Sequence, residues 1–253
     1  MSNTKGSKLL IIGKAGAGKS YSLKKLEDAY VFYADTKKRF PLDMIHTNIF
    51  TYKAFVTKKN GKVVNAIPSK AIEYQGMSKF KQSLLEKLKA YKALKGHLPK
   101  TVAFDAITNI YKMVGDYIQK TTKNNYGSHS ADTARDVDDF LDWIERILIS
   151  KGINVVFLAH AIVNRETGLL QVATSGSKTF ENTGGFFGSF NYASYVYVHD
   201  GIRLIAHKDL EYSDVCRSML DDILETEDAT DFNIQGMLDK IREQENKNND
   251  NEL

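Results

Sequence analysis

Residues 9 to 20 read LLIIGKAGAGKS. A short apolar run leads straight into Gly13-Lys14-Ala15-Gly16-Ala17-Gly18-Lys19-Ser20, a complete G-x-x-x-x-G-K-[ST] sequence. No other stretch constrains the fold as strongly, because this pattern works only between a buried strand and the start of a helix. Leu9 to Ile12 can form that strand, and Lys19 to Leu26 can open that helix. The glycines let the backbone curl so that successive N–H groups converge on one anion, and the helix N-terminus adds partial positive charge. Gly13, Lys14, Ala15, Gly16, Ala17, Gly18, Lys19, Ser20 and Tyr21 are therefore the expected phosphate cradle. Lys19 can reach the β- and γ-phosphates of a nucleotide, and the Ser20 hydroxyl can bind Mg²⁺. The cofactors expected are ATP with Mg²⁺; no base-reading motif separates ATP from GTP.

The remaining chain alternates strand and helix. Tyr30 to Ala34 is an apolar, aromatic run that ends at Asp35. Residues 51–57 and 62–67 flank Asn60-Gly61, whose tolerance of positive φ predicts a β-hairpin inserted at about 51–67. Met77 to Leu94 places Phe80, Leu84, Leu88 and Tyr91 on one helical face. Thr101 to Asp105 reads as a buried strand and Ala106 to Lys120 as a helix. Thr121 to Thr133 is polar and reads as a loop, Ala134 to Ile149 as an amphipathic helix, and Ile153 to His160 as another buried strand. Ala161 to Asn191 has no clear period. Tyr192 to Val198 and Ile202 to His207 read as strands joined across His199-Asp200-Gly201, and Asp231 to Arg242 as a final helix. The expected fold is α/β: a mainly parallel central sheet flanked by helices, with antiparallel edge strands. Residues 1–242 should form one domain and residues 243–253 a disordered tail.

Composition narrows the setting. A single cysteine, Cys216, permits no internal disulfide, and no apolar run reaches the length of a secretory signal or a membrane span. The expectation is a cytoplasmic protein with no membrane partner. The net charge of +4 permits nucleic-acid binding without arguing for it.

Hydrolysis needs more than a phosphate loop: an acid for Mg²⁺ and its waters, a water-activating group and a contact to the γ-phosphate. Asp105 ends an apolar strand, where such an acid would sit; the alternative is a cap for the following helix. Asp35 ends another strand and is either a second acid or a turn residue. His160 ends a third strand, at the side of the sheet where ligands bind, and is either a γ-phosphate contact or a packed histidine.

Taken together, the phosphate loop, TVAFD at 101–105, YGSHSA at 126–131, FLAH at 157–160, Thr183-Gly184-Gly185 and Tyr192-Ala193-Ser194 resemble the ATPase core of RecA-type recombinases. The size is most similar to the short phage-encoded RecA-like ATPases of recombination and single-strand annealing. The resemblance covers about residues 8 to 210 and implies roles for matched positions. Lys19 and Ser20 hold nucleotide and Mg²⁺, Asp105 is the Walker-B acid, and His160 couples the γ-phosphate to the loop that follows. Residues 121–133 and 161–191 correspond to two DNA-binding loops, and Lys208 to a lysine that reaches a neighbouring subunit's nucleotide. A homo-oligomer, filament or ring, is implied. The family's water-activating glutamate is missing: Asp35-Thr36-Lys37-Lys38 follows the second strand, so either Asp35 substitutes or hydrolysis is slow.

The residues themselves also bear on nucleic acid. Phe180, Phe186, Phe187, Phe190 and Tyr192 alternate with glycines, and Arg165 and Lys178 lie nearby. Aromatic rings on a glycine-bearing loop suit base stacking, worth about 1–3 kcal/mol per base. The alternative is that these rings pack on the sheet edge, Tyr192 first among them. Arg165, Lys178, Phe186 and Phe187 are the candidate DNA contacts. The lysine-rich helix from Met77 is either a solvated face or a secondary phosphate contact. The leading reading is an ATP-dependent, single-stranded-DNA-binding recombinase or annealing ATPase. The alternatives are a ring-forming helicase or motor, and a slow nucleotide-dependent regulator. A nucleoside kinase fits poorly, because the arginines are too scattered to form a closing lid.

Overall fold

The computed structural model describes residues 5–34, 40–50, 56–59, 62–65, 71–122, 128–173 and 185–250. Its strands are β1 (Lys8–Gly13), β2 (Ala29–Tyr33), β3 (His46–Phe50), β4 (Val56–Lys59), β5 (Lys62–Asn65) and β6 (Ile72–Glu73), followed by β7 (Thr101–Asp105), β8 (Asn154–Val163), β9 (Leu170–Val172), β10 (Ala193–His199), β11 (Ile202–Ala206) and β12 (Thr226–Asp228). The helices are α1 (Lys19–Ser22), α2 (Met77–Lys95), α3 (Ile107–Thr121), α4 (Ser128–Ile147), α5 (Gly185–Gly188) and α6 (Ile234–Asp250).

Across the sheet the order is β12-β11-β10-β1-β8-β7-β2-β3-β6. From β10 to β6 every neighbour is parallel, while β11 and β12 close the other edge antiparallel. This is the mixed α/β architecture that the strand–helix alternation predicts. The predicted hairpin is present as the β4–β5 pair, Val56 opposite Asn65 and Lys59 opposite Lys62, shorter than the 51–67 expected; Asn60 and Gly61 lie outside the described residues. β3 and β6 carry no signal in the sequence reading.

A strand buried on both faces reads as a continuous apolar run, and β1 is the clearest case. Its alternate side chains serve two cores. Leu10 and Ile12 join Phe32, Phe104 and Phe157 on the face covered by α2 to α5, with the rings of Phe32, Phe104 and Phe157 stacked at 5.4 and 5.2 Å. Leu9 and Ile11 join Val31, Ala103 and Leu158 on the face covered by Leu23, Leu26 and α6. The apolar stripe read from α2 is buried as expected. Among the described residues no helix is long and apolar enough to cross a membrane.

Three expectations are corrected. α4 begins at Ser128, inside the stretch read as a loop to Thr133; its first turns are polar, so they carry no apolar period, and Thr133 bonds back to the His129 carbonyl at 2.6 Å. α6 continues to Asp250, through most of the expected disordered tail. Arg242 anchors it by donating to Asn154 Oδ1 at 2.6 Å, and the half-buried Glu245 carboxyl is pushed up by burial and by Glu145, partly offset by Lys8 and Lys5. The third correction concerns the segment after His160. β8 runs on to Val163, turns, and returns as β9, with Ala161 opposite Val172.

Candidate nucleotide-phosphate site

Parallel strands put their C-terminal ends on one side of a sheet, and in this fold the ends of β1, β7 and β2, with His160 on β8 between them, make the site. The register aligns Gly13 at the end of β1 with His160 on β8, and Leu158 on β8 with Asp105 at the end of β7. The acid's strand is therefore not the neighbour of the phosphate-loop strand; β8 lies between them. A cavity of about 300 Å³ opens there, bounded by the phosphate loop, Tyr33, Asp105, Asn109, His160 and Arg203.

The loop has the conformation its glycines allow. Gly16 and Gly18 take φ of +82° and +97°, which other residues adopt only under strain. Lys19 is 6% exposed, and its ammonium donates to the carbonyls of Gly13 at 2.8 Å and Lys14 at 3.0 Å. Ser20, on the first turn of α1, donates its hydroxyl to Asp105 Oδ2 at 2.6 Å. A hydroxyl and a carboxylate in contact, next to an ammonium, supply the hard oxygen donors and the positive charge that a magnesium–phosphate pair takes. Among the described residues no cluster of three or more His, Cys, Asp or Glu offers another metal site. Ser20 and Asp105 thus fit Mg²⁺, and Lys19 with the loop backbone fits the phosphates.

Two further side chains complete the cavity. His160 bonds through Nδ1 to Thr108 Oγ1 at 2.8 Å. Arg203 lies over the Tyr21 ring, 5.8 Å from its centroid, and against Gly18, where a Cβ would collide with the guanidinium. Sequence reasoning missed Thr108, Asn109 and Arg203. For Arg203 a signal exists in retrospect: it is the second residue after the Asp200-Gly201 turn, where an antiparallel return strand is still level with the ligand side of the sheet.

The other candidates separate. Asp35 and Lys178 lie outside the described residues. Arg165 is exposed in the turn between β8 and β9. Lys208 follows β11, whose antiparallel course carries the chain away from its own phosphate loop beyond Ala206, and the Lys208 ammonium is held by the Leu220 carbonyl. Arg203 is the cation that this strand brings to the chain's own cavity. Phe186 is a correction. It is 1% exposed, packed edge-on against Phe157 and beside Phe190, so its ring is core rather than an exposed stacking platform. Phe187 is half-buried under the Arg217 guanidinium, 4.2 Å from its ring centroid. Tyr192 is core, as the packing alternative had it.

A mostly parallel sheet, helices on both faces and a glycine-rich loop between the central strand and a helix define a P-loop nucleoside-triphosphatase core. The family model described as an AAA domain matches residues 5–170, more than half of the chain. The chain belongs to that family of P-loop ATPases. The matched span holds the phosphate loop, Asp105 and His160; Arg203 lies beyond it. No curated protein matches the chain.

Proposed function

We propose that this chain is a Mg²⁺-dependent ATPase of RecA-like type that binds single-stranded DNA, couples that binding to the state of its nucleotide, and works as a homo-oligomer in DNA recombination or annealing. One observation carries the coupling. The strand that places His160 in the phosphate cavity continues without a break into the β8–β9 hairpin. That hairpin exposes Ile162, Val163 and Leu169 together with Arg165. A contact made at the γ-phosphate and a surface open to a partner thus share one strand.

Each residue has a defined task in this reading. The loop backbone and Lys19 bind and orient the phosphates and meet the charge that builds on the γ-phosphoryl group. Mg²⁺, when bound, neutralises phosphate charge; Ser20 and Asp105 hold it. His160 offers a hydrogen bond to the terminal phosphate. Arg203 and Tyr21 form the wall of the cavity beside Gly18. Arg165, Lys178 and the exposed hairpin residues meet the DNA.

The test is reciprocal. ATP turnover is measured with and without single-stranded DNA, and DNA affinity with ATP, ADP and no nucleotide. Coupling between two sites runs at about 1–3 kcal/mol, about 5- to 150-fold, and must act equally in both directions on binding. ATP should tighten DNA by such a factor, DNA should tighten ATP by the same factor, and salt should weaken the DNA complex. Equal DNA affinity in all three nucleotide states would reduce the chain to an ATPase without this gate.

A further inference from the structure

Thr108 is the second residue of α3 and the third after Asp105, and it is 7% exposed. Its Oγ1 lies 2.8 Å from His160 Nδ1 and 3.4 Å from the His160 main-chain nitrogen. The two contacts together constrain the protons. A main-chain N–H only donates, so it occupies one lone pair of the hydroxyl oxygen. The hydroxyl's own proton still needs an acceptor. Among the described residues, His160 Nδ1 is the acceptor within reach. A ring protonated at Nδ1 would take the second lone pair and leave a buried hydroxyl proton with nothing to accept it, which native interiors avoid. Nδ1 is therefore the acceptor, and in the neutral ring the proton sits on Nε2.

We propose that Thr108 is a positioning residue that fixes His160 as an Nε2–H donor in the phosphate cavity. The proposal rests on the reading of that cavity as an ATP site, and it deepens it. An Nε2 that carries a proton can donate to a γ-phosphate oxygen. It has no lone pair with which to take a proton from an attacking water. His160 thus senses phosphate and is excluded as the general base. Thr108 also ties the first turn of α3, which follows the Mg²⁺ acid directly, to the strand that carries His160. The acid and the sensor are held in one frame by a single hydroxyl.

The test is made on the full chain labelled with ¹⁵N at histidine. Two-bond nitrogen–proton correlation spectra report the tautomer, and the His160 signals are identified by their loss in His160→Gln. Wild type should show an imine-type Nδ1 and a pyrrole-type Nε2. Thr108→Ser keeps the hydroxyl and should keep both the spectrum and the turnover. Thr108→Val, nearly isosteric, should mix the tautomers. It should also lower kcat about tenfold with little change in KM, the loss expected for one buried hydrogen bond that matters in the transition state. A pyrrole-type Nδ1 in the wild type overturns the proposal. So does a spectrum that Thr108→Val leaves unchanged. If the tautomer shifts in Thr108→Val while kcat holds, the positioning stands, and the role of His160 in hydrolysis is what falls.

Discussion

The loop between β1 and α1 and the short turn of α5 both set glycines beside the same sheet, yet they use them in opposite ways. In the phosphate loop the side chains are small and the backbone is the working surface. Gly16 and Gly18 take left-handed φ, and the structure around them is closed by one lysine that bonds the loop's own carbonyls. In α5 the glycines flank large rings. Phe186 packs against Phe157, and Phe190 packs against both, with the Lys8 ammonium 5.4 Å from the Phe190 ring centroid. A glycine-bearing stretch is thus open backbone where its neighbours are small. Where it carries rings that the sheet can cover, it is core.

The strongest test of that contrast is Phe186→Ala. Removing a buried phenylalanine should lower stability by about 3–5 kcal/mol in urea denaturation. A variant of unchanged stability that no longer bound single-stranded DNA would return the ring to the DNA loop and erase the contrast. Lys19→Ala probes the other side. Turnover should fall about 10³-fold while the cooperative unfolding transition persists, because Lys19 meets charge on phosphate. Wild-type turnover there would remove the loop from the active site. Asp105→Asn should be milder, about 10²-fold in kcat with a smaller loss of nucleotide affinity, since its carboxylate matters most as charge moves in the transition state. An unchanged kcat would make Asp105 a structural partner of Ser20 alone.

The smallest effect expected lies away from the site. His207 is fully buried, bonded to Ser194 Oγ at 2.7 Å and to Glu227 Oε1 at 3.0 Å. Burial lowers its pKa, and Glu227 offsets this only in part. A folded-state value below the unfolded one, about 6.5, means that the unfolded chain binds the extra proton first. Stability should therefore be full above about pH 6.5 and decline as pH falls from there towards the folded value. Glu245 and Asp136, both raised by burial, tilt the other way at lower pH, so the comparison is with His207→Asn, in which the His207 part of the slope should vanish. Parallel melting curves for the two proteins across that range should diverge on the acid side; identical slopes would show His207 to be silent.

What the sequence made legible follows from how local each signal is. The phosphate loop is complete within eight consecutive residues, so no tertiary knowledge is needed to read it. Asp105 could be placed because it closes an apolar run, and His160 because it is the polar break within one, and parallel strands send their C-terminal halves to one side. Thr108 and Arg203 depend on contacts that no local pattern contains. Arg203 reaches the cavity because the β10–β11 register sets it opposite Val198, two positions beyond the level of Gly13. The direction of the return strand, and not its composition, decides that Arg203 meets this chain's own cavity. The early start of α4 and the late end of α6 were hidden as well. The first turns of α4 are polar and bonded locally, Thr133 to the His129 carbonyl, and the last turns of α6 follow Arg242, which a residue distant in sequence, Asn154, holds.

Strand β8 has a mechanical character that its hydrogen bonds dictate. It is laced to β7 over Asn154–Leu158 and to β1 over Val155–His160. Past His160 its ladder among the described residues is to β9 alone. It is a cantilever: clamped on both edges along its inner length, overhanging beyond, with His160 at the lip of the clamp. Amide exchange should step upward between His160 and Ile162, because the overhang can open without unlacing the sheet. The overhang can also change length or sequence while the ladder that supports the phosphate loop stays intact, so this nucleotide end can carry hairpins of different reach.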